Sequence, residues 1–228
     1  MRDESVLVID DETHIRSIVR AAIEADGGMA YEAATGAAGL ELARSARPGL
    51  VVLDLGLPDR DGVDICRALR DWSSVPILVL SARHSAEEKA RLLDAGADDY
   101  LTKPFSTVEL QARMRARRSC ARMRPRPDGD APIVSSGLAI DLAARRVELD
   151  GAPVHLTPTE WALLRTLVLH AGRTLTHQQL FDAVWDRPHG DAQQYLRVYV
   201  AHLRRKIERD PSHAEILVTE GGGYKLVP

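Results

Sequence analysis

The sequence predicts an α/β domain built on a parallel sheet, followed by a smaller α+β domain. Three observations carry this reading. In the first half, five short apolar runs each precede a segment of helical periodicity, the alternation from which parallel sheets are made. Charge is divided along the chain. Residues 1–112 carry 12 Lys+Arg against 20 Asp+Glu, residues 113–131 carry 7 against 2, and residues 132–228 carry 11 against 11. An acidic part, a basic joint and a neutral part read as two domains and a linker. From residue 132 the pattern changes to alternating runs, three helical stretches and a hairpin around glycines. The boundaries follow as 1–118, a linker over 119–131 rich in Arg, Pro, Gly and Asp, and 132–228.

The elements of the first domain can be justified in order. "VLVID" is an apolar run closing on acids. "ETHIRSIVRAAIEADG" has Ile15, Ile18, Val19, Ala22 and Ile23 at helical spacing, with Gly27 as a stop. "AYEAA" alternates weakly as a strand, and "GAAGLELARSARP" is a helix ending before Pro48. "LVVLD" is the next strand and "GVDICRALRDW" its helix. "PILVLSA" and "SAEEKARLLDAG", then "DDYLTKP" and "STVELQARMRARRS", repeat the unit.

Bulk properties limit the function classes. Hydrophobic content of 45% and charged content of 28% are ordinary for a globular protein. No apolar stretch approaches the roughly 20 residues of a membrane helix. The opening "MRDESVLVID" lacks the apolar core of a signal peptide. Cys66 and Cys120 show no metal-type spacing and no disulfide framework. A cytoplasmic protein with no membrane partner is expected.

Ligands of parallel sheets sit at the carboxyl ends of the strands. The polar residues expected there are Asp10 and Asp11 after the first strand, Asp54 after the third, Ser81 after the fourth and Lys103 after the fifth. Three carboxylates at one edge repel unless a cation lies among them. A hard divalent ion with oxygen ligands fits, and Mg²⁺ is the natural choice. Lys103 adds a point charge and Ser81 a donor, a set suited to holding a phosphoryl group on a carboxylate.

The motifs "IDDE", "LDLGLPDRDG", "LSAR" and "DDYLTKPF" resemble those of the receiver domain of bacterial response regulators over residues 1–118. The resemblance implies a flavodoxin-like sheet of order 2-1-3-4-5, with Asp54 accepting phosphate from a sensor histidine kinase. It also implies that Asp11, Asp54 and the backbone carbonyl of Gly56 ligate Mg²⁺, with Asp10 acting through a bound water. Lys103 then contacts the phosphoryl oxygens, Ser81 moves toward them and Tyr100 swings inward. The Lys103–Pro104 bond is expected to be cis. Gly56 stands where many relatives carry Met, a change that a backbone ligand survives.

In the second part, "LAIDLAARRVELDGAPVHLTP" reads as a small antiparallel sheet with an Asp-Gly turn. "TPTEWALLRTLVLHAG" begins on a Thr cap, and "THQQLFDAVW" is a short helix capped by Thr176. After the loop "DRPHGDA" comes "AQQYLRVYVAHLRRKIERDP", with Leu196, Val200, Leu203 and Ile207 as a buried stripe and Arg residues mainly off it. "ILVTEGGGYKLV" is a hairpin. This order resembles the winged-helix effector of the OmpR/PhoB family. The resemblance implies a major-groove helix and a hairpin reaching the minor groove. It places Arg197, Tyr199, His202 and Arg204 near DNA, Arg205 and Lys206 on or near its backbone, and Tyr224 and Lys225 in the wing. Thr157 is expected to donate to a phosphate from a helix start. Glu220-Gly221-Gly222 departs from relatives that carry Arg in the wing.

The family likeness further implies a homodimer on phosphorylation, through a face holding Lys89, Leu93, Asp98, Asp99, Glu109, Ala112, Arg113 and Arg118. Its intermolecular pairs would include Lys89–Glu109 and Asp99–Arg113, with Leu93 and Ala112 as the apolar centre. Promoter DNA and RNA polymerase are the implied partners. Within the family, "YLRVYVAHLRRKIERDP" and "HLTPTEWALL" are similar to the branch that controls potassium-uptake operons. Two rival readings are weaker. A phosphohydrolase of the aspartyl-phosphate type needs an acid two positions after its nucleophile, where Asp54-Leu55-Gly56 has none. A DNA-binding regulator without phosphorylation has no use for the acid, Ser and Lys set.

Overall fold

The structure is a computed structural model and describes residues 5–82, 85–122, 133–185 and 192–228. The chain divides into two compact units, Met1–Ala121 and Arg122–Pro228. The loop "DRPHGDA" and most of the expected linker fall outside the described residues, apart from Ala192 and the end of the last receiver helix.

In the first unit the elements run β1 (Ser5–Ile9), α1 (Thr13–Ala25), β2 (Met29–Ala33), α2 (Gly36–Ala46), β3 (Leu50–Asp54), α3 (Gly62–Arg70), β4 (Ile77–Ser81), α4 (Ala86–Asp94), β5 (Asp99–Thr102) and α5 (Thr107–Arg122). All strand pairs are parallel, in the order β2-β1-β3-β4-β5. β1, β3 and β4 are buried at every residue, which is why their sequences are continuous apolar runs and not alternating ones. Successive side chains nevertheless serve opposite layers. Leu7, Ile9, Val51, Leu53, Ile77 and Val79 pack with Ala43, Ile65, Leu69 and Leu92 of α2, α3 and α4. Val6, Val8, Val52, Leu78 and Leu80 pack with Val19, Ile23, Leu110 and Met114 of α1 and α5. The sheet is therefore covered on both faces, while its edge strand β2 stays partly exposed.

Helix starts follow the side chains present. Thr35, Asp61 and Ser85 accept from backbone N–H groups at the heads of α2, α3 and α4. α5 runs four residues beyond the expected domain end at 118. "RRSCAR" holds no helix breaker, and the first proline is Pro125.

The second unit opens with an antiparallel sheet of β6 (Ile133–Ser135), β7 (Leu138–Asp141), β8 (Arg146–Leu149) and β9 (Ala152–Pro153). Its helices are α6 (Pro158–Leu169), α7 (His177–Trp185) and α8 (Ala192–Ile207). A second sheet, in the order β10-β12-β11, joins β10 (Leu175–Thr176) to the hairpin β11 (Leu217–Glu220) and β12 (Gly223–Leu226). β10 is a two-residue strand, too short to leave a periodic signal. Thr157 with Glu160 and Thr176 with Gln179 form reciprocal caps at α6 and α7. Gly221 (φ 59°) and Gly222 (φ 78°) close the hairpin in two residues, both left-handed, as such a turn requires. Leu196, Val200, Leu203 and Ile207 of α8 are all buried.

Candidate functional site

Strand register assembles the first site. Ile9 pairs with Leu53, so Asp10 and Asp54 end adjacent strands at one level, where the strand order reverses direction. Ser81 pairs with Thr102, which puts Lys103 at the same rim. Lys103 Nζ lies 2.7 Å from Asp54 Oδ1, 3.0 Å from Asp10 Oδ2 and 3.1 Å from Glu12 Oε1. Carboxylate oxygens of Asp10, Asp11 and Asp54 lie within 4.8 Å of one another. The other oxygen of Asp54 accepts from Gly56 N–H at 2.7 Å, and Asp10 Oδ1 accepts from Glu12 N–H at 2.8 Å. Asp10 is fully buried, Asp54 nearly so, and Asp11 is exposed. Ser81 is buried at the wall of the same cleft, which Glu12, Gly56, Asp61 and Glu88 also line. Tyr100 is half-buried against the layer of α2, α3 and α4. The Lys103–Pro104 bond is cis.

Electrostatics follow from one ammonium serving several acids. Burial pushes the Asp10 carboxyl up, and the neighbouring Asp54 adds to this, while Lys103 and the Glu12 N–H pull it down. For Lys103, burial alone would lower the pKa. Its bonds to Asp54, Asp10 and Glu12 outweigh that together and hold it above the ordinary lysine range. The two directions agree, since acids outnumber the cation.

The donor set fits a hard divalent ion. Three carboxylates converge, and one is exposed to solvent. The carboxylates of Asp10, Asp11 and Asp54 are the groups that could hold it. Several groups here had no pattern signal. Glu12 is an exposed acid at a helix head. Arg16 donates to the carbonyl oxygens of both Asp10 (2.8 Å) and Asp11 (2.9 Å) and is backed by Glu32. Asp59 spans to α2 and accepts from Gly36 and Ala37 N–H, which holds its carboxyl below the usual range. At Gly62 a Cβ would come within 2.8 Å of the Asp54 carbonyl oxygen and of Leu55, so glycine lets α3 begin against the loop that follows Asp54.

In the second unit Arg197 and Arg205 are exposed on α8, and His202 is half-buried against the Tyr199 ring. Six expected DNA contacts, Lys225 among them, have partners within this unit. Tyr199 is 2% exposed and packs on Trp185 at 5.3 Å, so it is a core residue. Tyr224 is 4% exposed and meets the His177 ring edge. Thr157 is buried as the α6 cap and exchanges hydrogen bonds with Glu160. Lys206 donates to that same buried Glu160 at 2.7 Å and to the His155 carbonyl. Arg204 donates to β11, at Leu217 O (2.8 Å) and Thr219 Oγ1 (2.9 Å). In the hairpin, Glu220 pairs with Lys225 and accepts from Thr174, which holds its carboxyl low.

Residues 6–115 match the family described as the response regulator receiver domain, and residues 151–226 match the transcriptional regulatory protein C-terminal family. The chain is 46% identical over 226 residues to the KDP operon transcriptional regulatory protein KdpE of Escherichia coli (strain K12), covering 98% of this chain and 99% of that one. The chain belongs to the response regulators of OmpR/PhoB type. This response regulator is also 44% identical over 223 residues to transcriptional regulatory protein KdpE of Mycobacterium tuberculosis (strain CDC 1551 / Oshkosh), covering 97% and 98%. Among solved structures it is similar to response regulator DrrB, a Thermotoga maritima OmpR/PhoB homologue, at 28% identity and TM-score 0.51 over 98% and 99% of the two chains. A RitR C128D mutant shares the fold at TM-score 0.79 and 21% identity, covering 98% of each. The chain is thus a two-component regulator with a DNA-binding output domain. Among its described residues no helix is long and apolar enough to cross a membrane.

In this response regulator the residues of the expected dimer face differ in burial and in the partners they have within the chain. Asp98 is 1% exposed and is an internal ligand of Arg70 (2.6 Å) and of Ile77 N–H. Leu93 is 1% exposed and offers no apolar surface. Asp99 is 2% exposed and meets Arg113 at 2.9 Å within the same chain, and Arg113 also holds Glu109 at 2.8 Å. The Asp99–Arg113 pair is therefore intramolecular here. Ala112 is half-buried, while the side chains of Lys89 and Arg118 lie outside the described residues.

Proposed function

We propose that this regulator takes a phosphoryl group on Asp54 from a sensor histidine kinase of the KdpD type, pairs with a second copy through its receiver, and binds promoter DNA of a Kdp-type potassium-uptake operon in the cytoplasm. The observation that carries it is the Asp54 carboxylate held 2.7 Å from Lys103 at a rim shared with Asp10 and Asp11. An Asp54 oxygen attacks phosphorus, the bond from phosphorus to the donor imidazole nitrogen breaks, and an acyl phosphate forms. Mg²⁺, when bound, offsets the negative charge that the transferred group brings. In this reading Lys103 contacts its oxygens, and Ser81 donates from the cleft wall. Arg16 and the Gly56 N–H keep the acids oriented. The chain itself adds at most slow self-phosphorylation and self-dephosphorylation. The likeness to two KdpE proteins over nearly the whole chain supports a Kdp-type operon as target, and RNA polymerase is the final partner this reading implies.

The test is incubation of the full chain with acetyl phosphate and Mg²⁺, followed by a phosphate-affinity gel and light scattering. Expected are a retarded band, lost in Asp54→Ala, and a doubling of mass. A retarded band that persists in Asp54→Ala overturns the acceptor assignment. An unchanged mass on phosphorylation overturns the pairing.

A further inference from the structure

Helix α8 and the β11–β12 hairpin are the two elements expected to touch DNA, and two side chains of the α8 segment grip the base of the hairpin. Glu208 directly follows α8 and is 6% exposed. Its carboxylate accepts from three successive backbone N–H groups: Glu215 at 3.1 Å, Ile216 at 3.0 and 3.2 Å, and Leu217 at 2.7 Å. A buried carboxylate without such donors would be costly, and a row of N–H groups is a natural anion cradle. One turn earlier, Arg204 donates Nε to the Leu217 carbonyl and its terminal nitrogen to Thr219 Oγ1. Leu217 is thus held through its N–H by one side chain and through its carbonyl by another, four residues apart. Leu217 and Ile216 are themselves buried.

We infer that Glu208 and Arg204 are positioning residues that fix the hairpin in register with α8, so that helix and hairpin meet DNA as one rigid reading head. Arg204 acts through Leu217 and Thr219 and not through a phosphate. The inference rests on α8 and the hairpin being the DNA-contacting elements. Its chemistry depends on the guanidinium fork: two divergent donors reach two acceptors at once, whereas a lysine keeps the charge and loses the fork.

The experiment uses the full chain and a duplex selected by the wild-type chain from a random library. Affinity is read by fluorescence anisotropy across a salt series for Arg204→Lys, Arg204→Ala, Glu208→Gln and, as the exposed-cation control, Arg197→Ala. If Arg204 and Glu208 position the hairpin, Arg204→Lys binds as poorly as Arg204→Ala, about tenfold weaker than wild type, with an unchanged salt slope. Glu208→Gln weakens binding likewise, and the amides of Glu215, Ile216 and Leu217 exchange faster while circular dichroism stays native. A phosphate contact gives the opposite: Arg204→Lys restores affinity, and Arg204→Ala reduces the slope by about 0.9. Either of those results, or wild-type binding by Glu208→Gln, overturns the inference. Should Arg204→Ala fail to fold, Arg204→Lys and Glu208→Gln still decide it. Should the wild-type chain select no duplex, the DNA-binding reading itself has failed, which is a separate outcome.

Discussion

Replacing Asp98 with Ala should destabilise the receiver and leave the dimer face untouched. The Asp98 carboxylate is 1% exposed and accepts from Arg70 at 2.6 Å and from Ile77 N–H at 2.9 Å. Arg70 also donates to the carbonyls of Gly96, Ser73 and Val75, so this one pair ties α3 to the turn before β5 and to the start of β4. Breaking a buried pair by removing one partner costs about 3–5 kcal/mol. Within that sum, the orphaned Ile77 N–H accounts for ~1–3 kcal/mol. Arg70 keeps three carbonyl partners and some contact with water, which puts the total near the lower end. Calorimetry of the full chain should show the receiver transition falling by roughly 10 °C, given ~3–5 °C per kcal/mol for a unit of this size. Asp98→Asn keeps an acceptor for Ile77 and should lose about half as much. A transition that stays in place while phosphorylation-dependent pairing disappears would refute the reasoning and return Asp98 to the interface.

Three further outcomes are expected. Burial pushes the Cys66 thiol up to about 12, so in a Cys120→Ser chain no thiol should react with a disulfide reagent at neutral pH until denaturant is added; reaction in the native state would contradict its burial. Burial also raises the Tyr224 phenol above its ordinary value of 10.0. A raised acid favours its protonated form in the fold, so this contribution is present below pH 10 and lost as pH climbs through the folded value; Tyr224→Phe should flatten the alkaline limb of the stability curve. Tyr199→Ala should cost about 3–5 kcal/mol in a urea titration of the second unit, whereas Arg197→Ala should leave the midpoint in place and weaken DNA binding, as measured by anisotropy.

The acids of the first site were legible because they end continuous apolar runs, whereas Lys103 follows the short alternating strand β5, and register then brings them together. Asp59 and Arg16 were not, because their work is done on backbone groups of other segments, which no local spacing reveals. Tyr199 shows a different failure. It lies three residues after Leu196 and one before Val200, so helical geometry puts it on the same buried face; a stripe drawn through Leu196, Val200, Leu203 and Ile207 alone was too narrow. Asp98 and Leu93 were assigned to a surface because likeness transfers position along the chain but not depth below the surface. The adjacent leucines Leu92 and Leu93 are both inside, which no amphipathic pattern separates.

An ammonium group has three hydrogens to give, and in Lys103 every one already has an owner among Asp10, Glu12 and Asp54. A newcomer at Asp54 therefore finds no vacancy; it must outbid a sitting tenant. Glu12, more than half in water, surrenders its claim most cheaply, since solvent can replace what it loses. Under the proposed function, a phosphoryl group on Asp54 would redistribute one cation among rival acids, with Glu12 the first of them to give way.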